Sequence, residues 1–252
     1  MGRRHARLDE PHHWVFNRLA ADYRERPGYP AALADRLLEL AGGPGAAIAD
    51  LGAGTGLLAL PLAKRGARVF AVEPAASMLA ALRASAAGLP VEPVQAAAES
   101  TGLAPASVQQ VLLADALQWV EPERAGREAA RILAPGGVVA VLSARLADTP
   151  FAGGLARLIE RTNPKARPRP PGRLGQLLRA AGAEAWAQEE WRHEEVLSPE
   201  RLDAVLRSLS LVGPALGPGV LRSLLSEARD LARRLGGAAF TRDLTLSWGR
   251  RR

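Results

Sequence analysis

Along most of the chain, short apolar runs alternate with stretches whose apolar residues recur every three or four positions. Leu33, Leu37 and Leu38 follow the helical spacing, and Ala41-Gly42-Gly43-Pro44 then breaks it, so Pro30 to Leu40 is predicted as the first core helix. Ala46 to Leu51 is a compact apolar run of strand length. The same reading gives a helix from Gly56 to Arg65, a strand from Arg68 to Val72, a helix from Met78 to Ala87 and a strand from Val91 to Gln95. Val108 to Ala114 is a fourth strand. Pro122 to Leu133 is an amphipathic helix stopped by Pro135-Gly136-Gly137, and Val138 to Leu142 is a fifth strand.

Strands that alternate with helices in this way predict an α/β chain whose sheet is mostly parallel and covered on both faces. The later sequence is less regular. It predicts a helix over Gly172 to Ala181, a long sixth strand over Ala183 to Val196, and helices over Pro199 to Leu209 and Val220 to Leu235. Thr241 to Trp248 alternates Leu244, Leu246 and Trp248 with polar residues and reads as a final edge strand. Two helices between the last strands exceed what a hairpin needs, which marks them as a cap.

Composition narrows the chemistry. There is no cysteine, which excludes disulfides, thiolate metal sites and a cysteine nucleophile. No apolar run reaches the length of about 18 residues needed to span a bilayer, and the N-terminal residues lead into polar sequence, so a cytoplasmic protein without a membrane segment is expected. The net charge of +7 would suit a polyanionic partner if it formed one face. Much of it lies at the two ends and in the proline-rich stretch from Lys165 to Arg173, and aromatics make up only 4% of residues, so a nucleic-acid partner is not expected. A monomer or homodimer acting on a small molecule is.

The segment richest in chemistry is Asp50-Leu51-Gly52-Ala53-Gly54-Thr55-Gly56, at the junction of the first strand and its helix. Glycines there allow a tight turn and let a ligand lie against the backbone beside a helix N-terminus. Glu73 ends the next strand, about 20 residues on, where a carboxylate accepts hydrogen bonds from both hydroxyls of a ribose. The spacing is G-x-G-x-G, with Leu57 where the dinucleotide fingerprint carries its third glycine.

Ala49 to Gly56 together with Val72-Glu73-Pro74 resembles the glycine-rich and acidic motifs of the class I S-adenosylmethionine-dependent methyltransferases. Tyr23 to Pro30, Ala98-Glu99, Ala116 to Val120, Ile132 to Gly137 and Leu206 to Ser210 are similar to segments of its trans-aconitate-methyltransferase-like branch. The resemblance implies a Rossmann-like, seven-stranded, mostly parallel sheet with helices on both faces, an antiparallel last strand and a small helical cap. One methyltransferase domain over 1–252 is implied, with a lid at 1–30, a core at 31–197 and 238–252, and the cap at 198–237. The cofactor would be S-adenosylmethionine. Asp50, Gly52, Ala53, Gly54 and Gly56 would hold its amino-acid half and Glu73 its ribose, with Pro74, Met78, Ala98, Glu99 and Asp115 around it and Tyr23 and Arg26 over it.

Two departures bear on mechanism. Ala97 stands where many relatives have an aspartate for the adenine amino group, leaving that contact to amides near Ala98 and Glu99 or to the Glu99 side chain. Gln118 stands where relatives often have histidine, which removes a base from that strand end. The remaining candidates for a base are Asp115, Glu99, His12, His13, Tyr23 and Tyr29. Trp14, Tyr29, Gln118, Trp119 and Arg207 are the candidates for contact with the acceptor, with Arg26 and Arg145 as further partners for a carboxylate. Small-molecule O- or N-methylation leads, nucleic-acid methylation is the alternative, and cofactor binding without transfer is a third reading.

Overall fold

A computed structural model describes residues 13–163 and 172–252, and for His13 and Trp14 the backbone only. The elements in chain order are α1 (His13–Tyr23), α2 (Ala31–Ala41), β1 (Ala47–Leu51), α3 (Ala59–Lys64), β2 (Arg68–Val72), α4 (Ala76–Ser85), β3 (Val91–Val94) and β4 (Val108–Ala114). They continue with α5 (Pro122–Ile132), β5 (Leu133–Leu146), α6 (Pro150–Thr162), α7 (Arg173–Ala180), β6 (Ala187–Leu197), α8 (Pro199–Ser208), α9 (Pro218–Arg234) and β7 (Ala238–Arg250). A single 3₁₀ turn, Leu117–Trp119, follows β4.

The sheet has seven strands in the order β3-β2-β1-β4-β5-β7-β6. β1 to β5 pair in parallel, and β7 runs antiparallel to both β5 and β6. Successive residues of each strand feed opposite layers, as the period of two demands. Ile48, Val138, Ala140 and Leu142 pack against α2 and α3, while Ala49, Leu51, Val139 and Val141 pack against α5 and α7. Local signals set the helix ends. Gly42 closes α2 at φ +105°, and Glu121 caps α5 by accepting from the amides of Glu123 and Arg124.

The structure corrects three expectations. The last strand is not at an edge: β7 lies between β5 and β6, with Leu244 and Leu246 fully buried. The edge is β6, whose residues alternate between exposed and half-buried. Alternation along β7 therefore reflected its two faces and not a missing neighbour. The second correction is α3, which starts at Ala59 and not at Gly56, because residues 54–58 form successive turns. The third is α6, which the reading of the sequence passed over. Phe151, Leu155, Leu158 and Ile159 form its buried face, but the Gly153-Gly154 pair looks like a breaker. Tertiary packing explains it, since a Cβ at Gly154 would sit 2.9 Å from Leu231 of α9.

α6 joins α8, α9 and Phe240 of β7 in one apolar cluster beside the sheet's carboxyl edge, so three helices and not two make up this layer. α1 packs on both α4 and α8. Among the described residues no helix is long and apolar enough to cross a membrane.

Candidate functional site

β1 ends at Leu51, and the chain turns sharply through Gly52, Gly54 and Gly56 at φ +79°, +57° and +89°. At Gly52 a side chain is impossible without rearrangement, because its Cβ would lie 2.8 Å from that of Ala116. The amides of Gly52 and Ala53 both donate to the carbonyl of Val72, at 2.8 and 3.1 Å. Gly54 donates to Glu73 Oε2 at 2.9 Å, and Ala75 donates to Oε1 at 2.8 Å. These three amides are turned toward the end of β2 and not toward the cavity. Burial raises the pKa of Glu73, while the Ala75 and Gly54 amides pull it back and orient the carboxylate.

Asp50 lies in β1 beneath the loop, 2% exposed, and its Oδ1 has no partner. Burial, followed by the nearby Glu73 charge, pushes its pKa up to about 7. A buried acid in this state is poised to ionise when a cation arrives.

After β4 the chain again takes a strained path, with Asp115 at φ +51°. Each oxygen of its side chain has a partner: Oδ1 accepts from the Ala144 amide at 2.8 Å and Oδ2 from the Tyr29 hydroxyl at 3.1 Å. Gln118 donates to the Asp115 carbonyl at 2.6 Å, leaving its own Oε1 buried without a partner. Burial raises the pKa of Tyr23 and carries that of Tyr29 well above the usual 10, so neither phenol serves as a base near neutrality. His12 lies outside the described residues, as does the side chain of His13.

α1 brings Phe16 and Tyr23 over this end of the sheet. Phe16 meets Trp119 edge-on at 5.0 Å, and the Tyr23 ring stands 3.4 Å from the Cβ position of Gly54. Arg26 stacks on Tyr23 at 3.9 Å and donates to the hydroxyl and carbonyl oxygens of Ser208. Arg207 pairs with Asp22 through both nitrogens it offers, at 2.9 and 3.1 Å. Two arginines therefore tie the N-terminal helix and the turn after it to α8.

These elements enclose a cavity of about 530 Å³. Of the residues singled out from the sequence, Tyr23, Arg26, Gly52, Gly54, Glu73, Pro74, Met78, Ala98, Glu99, Asp115, Gln118, Trp119 and Arg145 line it. Asp50, Ala53, Gly56, Tyr29 and Arg207 do not. Asp50, Ala53 and Gly56 shape the turn from behind, Tyr29 braces Asp115, and Arg207 is spent on Asp22, which removes it as an acceptor contact. The side chain of Trp14 lies outside the described residues. Glu99 accepts the Glu121 amide at 2.7 Å, so one of its oxygens is already committed. The sequence reading missed Ile159, Val205, Leu211, Phe240 and Arg242, which close the far wall. Of these, Val205 lies in the predicted cap helix, and the apolar spacing of Phe151, Leu155, Leu158 and Ile159 was a signal that could have found Ile159.

Residues 49–141 match the model of a methyltransferase domain family. Over 117 residues the chain is 46% identical to an uncharacterized methyltransferase of Mycobacterium tuberculosis, a match covering 45% of each chain. The chain thus spans about half the length of the curated relatives it matches. A putative type II methyltransferase of Anaeromyxobacter dehalogenans superposes with a TM-score of 0.62 at 26% identity, over 89% of this chain and 97% of that one. A geranyl diphosphate C-methyltransferase from Streptomyces coelicolor, solved with S-adenosylhomocysteine, superposes at 0.51 and 18% identity, over 88% of this chain and 76% of that one. The fold is that of the class I methyltransferases. In this methyltransferase fold the glycine loop, Glu73 and Asp115 all sit at the carboxyl ends of parallel strands, where open α/β sheets bind ligands.

Proposed function

We propose that the chain is an S-adenosylmethionine-dependent methyltransferase acting on a small-molecule acceptor. The observation that carries the reading is the Glu73 carboxylate, fixed by two amides on the wall of the cavity and still able to accept from ribose hydroxyls. The turned-in amides of Gly52, Ala53 and Gly54 favour this cofactor over a dinucleotide. A pyrophosphate needs amide donors, and those of Gly52, Ala53 and Gly54 already have acceptors. Buried Asp50, with its unpartnered oxygen, suits a cationic ligand.

The cofactor's sulfonium supplies an activated methyl group. The protein's own part is placement and the exclusion of water. Glu73 would hold the ribose, with Pro74, Met78 and Ala98 walling that end, while Phe16 and Tyr23 of α1 and Arg26 just after it cover it. With both tyrosines held protonated, and Asp115 and Glu99 each already accepting a backbone amide, an acceptor that needs no deprotonation, such as a carboxylate, is favoured.

A small acceptor is preferred to nucleic acid because many arginines, including Arg36, Arg65, Arg145, Arg201 and Arg207, are paired with carboxylates. The N-terminal segment and the cap helices are read as the cover that selects the acceptor, and a cytoplasmic location is inferred. Calorimetry tests the core of this reading: S-adenosylhomocysteine should bind and NAD should not. Transfer of a labelled methyl group to a metabolite pool should change little between 50 and 200 mM salt, where phosphate-bound complexes lose orders of magnitude in affinity. Tighter binding of NAD than of S-adenosylhomocysteine would overturn it.

A further inference from the structure

The far wall of the cavity holds a cation that the cofactor reading does not use. Arg242, on β7, is 9% exposed and lines the cavity. Its guanidinium donates to the carbonyl of Gly28 and lies 5.4 Å from the centre of the Tyr29 ring, while its Nε has no partner. It forms no ion pair among the described residues.

The carboxylates in its field are engaged elsewhere. Asp115 accepts from Tyr29 and Ala144, and Glu195 is paired with Arg201 at 2.8 Å. The other cavity arginines are also occupied: Arg26 by Ser208 and Arg145 by Asp243 at 2.8 Å. Arg242 feels the charges of Asp115 and Glu195 without pairing directly with either, and a buried guanidinium left in that state is costly. Tyr29, Asp115, Glu195, Arg26 and His193 lie in its field, and Leu146, Ile159, Val205, Leu211 and Phe240 give the same cavity an apolar lining.

We propose that Arg242 is the docking residue for the acceptor, and that the acceptor is an amphiphilic anion with an apolar body and a carboxylate or phosphate head. This rests on the cofactor reading above and extends it to the second substrate. A planar guanidinium on the cavity lining matches the geometry of either head group. The apolar wall takes the body, and an uncharged analogue leaves the cation unpaired, which makes the site selective by exclusion as well as by attraction.

The test uses the full chain saturated with S-adenosylhomocysteine and titrates octanoate, octyl phosphate and octanol by calorimetry. At least one anion should bind ten times or more tightly than octanol, and the better anion identifies the head group. Arg242→Gln should weaken that anion at least tenfold, leaving octanol unchanged and S-adenosylhomocysteine within twofold. Arg242→Lys, which keeps the charge, should fall between, and with the wild-type contrast it carries the test if Arg242→Gln does not fold. An anion no tighter than octanol, whether both bind or neither does, overturns the proposal, as does an anion affinity indifferent to Arg242→Gln. Failure of S-adenosylhomocysteine itself to bind would instead sink the cofactor reading, and the acceptor site with it.

Discussion

Gly54 donates its backbone N–H to Glu73 Oε2 at 2.9 Å, which ties the glycine loop to the end of the neighbouring strand. The same carboxylate serves as structural clamp and ribose acceptor. Glu73→Ala should weaken binding of S-adenosylmethionine by about 1–3 kcal/mol in calorimetry, the range for leaving hydroxyl and amide partners unpaired. Glu73→Gln should also lose stability, since one amide oxygen cannot satisfy both the Gly54 and Ala75 donors while its NH₂ group faces one of them. Unchanged cofactor affinity in both variants would remove Glu73 from the site.

Asp50 should make the free protein less stable as pH rises. Its pKa in the fold, about 7, lies above the ordinary 3.8, so the folded state holds a proton that the unfolded state has released. Below pH 4 both states are protonated and nothing is lost. Between 4 and 7 stability falls, and above 7 the full penalty, on the order of 2–4 kcal/mol, is present. Asp50→Asn should flatten this slope in denaturant titrations from pH 4 to 8. Binding of the cationic cofactor near pH 6 should release protons, seen as a dependence of the calorimetric heat on buffer ionisation enthalpy.

Tyr29 should matter as a brace and not as a base. Burial holds its phenol protonated, and its hydroxyl supports Asp115 at 3.1 Å. Tyr29→Phe should cost about 1–3 kcal/mol of stability by leaving an Asp115 oxygen short of a donor, with the pH–rate profile unchanged in shape. Loss of a limb of that profile would make the tyrosine a participant.

The Asp22–Arg207 pair should contribute more to closure than to stability. Both side chains remain about a third exposed, so their coupling in a double-mutant cycle should fall below about 1 kcal/mol. Asp22→Ala should nevertheless raise the susceptibility of α1 to proteolysis in the absence of cofactor, with protection returning when S-adenosylhomocysteine binds. Equal cleavage with and without ligand would argue that α1 is not a mobile cover.

Much of the sheet and its cofactor end could be read from the chain because the signals there are local. Strand runs such as Ala47 to Leu51, the glycines whose positive φ the turn requires, and Glu73 at the end of β2 are each recorded in a few adjacent residues. The helix ends at Gly42 and Ser198 are equally local, set by one left-handed glycine and one hydroxyl cap.

Other features depend on who packs against whom. The place of β7 between β5 and β6 follows from pairing across the sheet, and its own pattern does not carry it. The glycine pair Gly153-Gly154 inside α6 makes sense only beside α9, where a Cβ at Gly154 would meet the Leu231 side chain at 2.9 Å. Arginine is so frequent here that no single one stands out, yet residues nearly two hundred positions apart assign each its task. Arg207 is claimed by Asp22 and Arg26 by Ser208, while Arg242 reaches the cavity without a counter-ion. Burial and partnership arise only when distant segments meet, and they separate an arginine that ties helices together from one that faces a ligand.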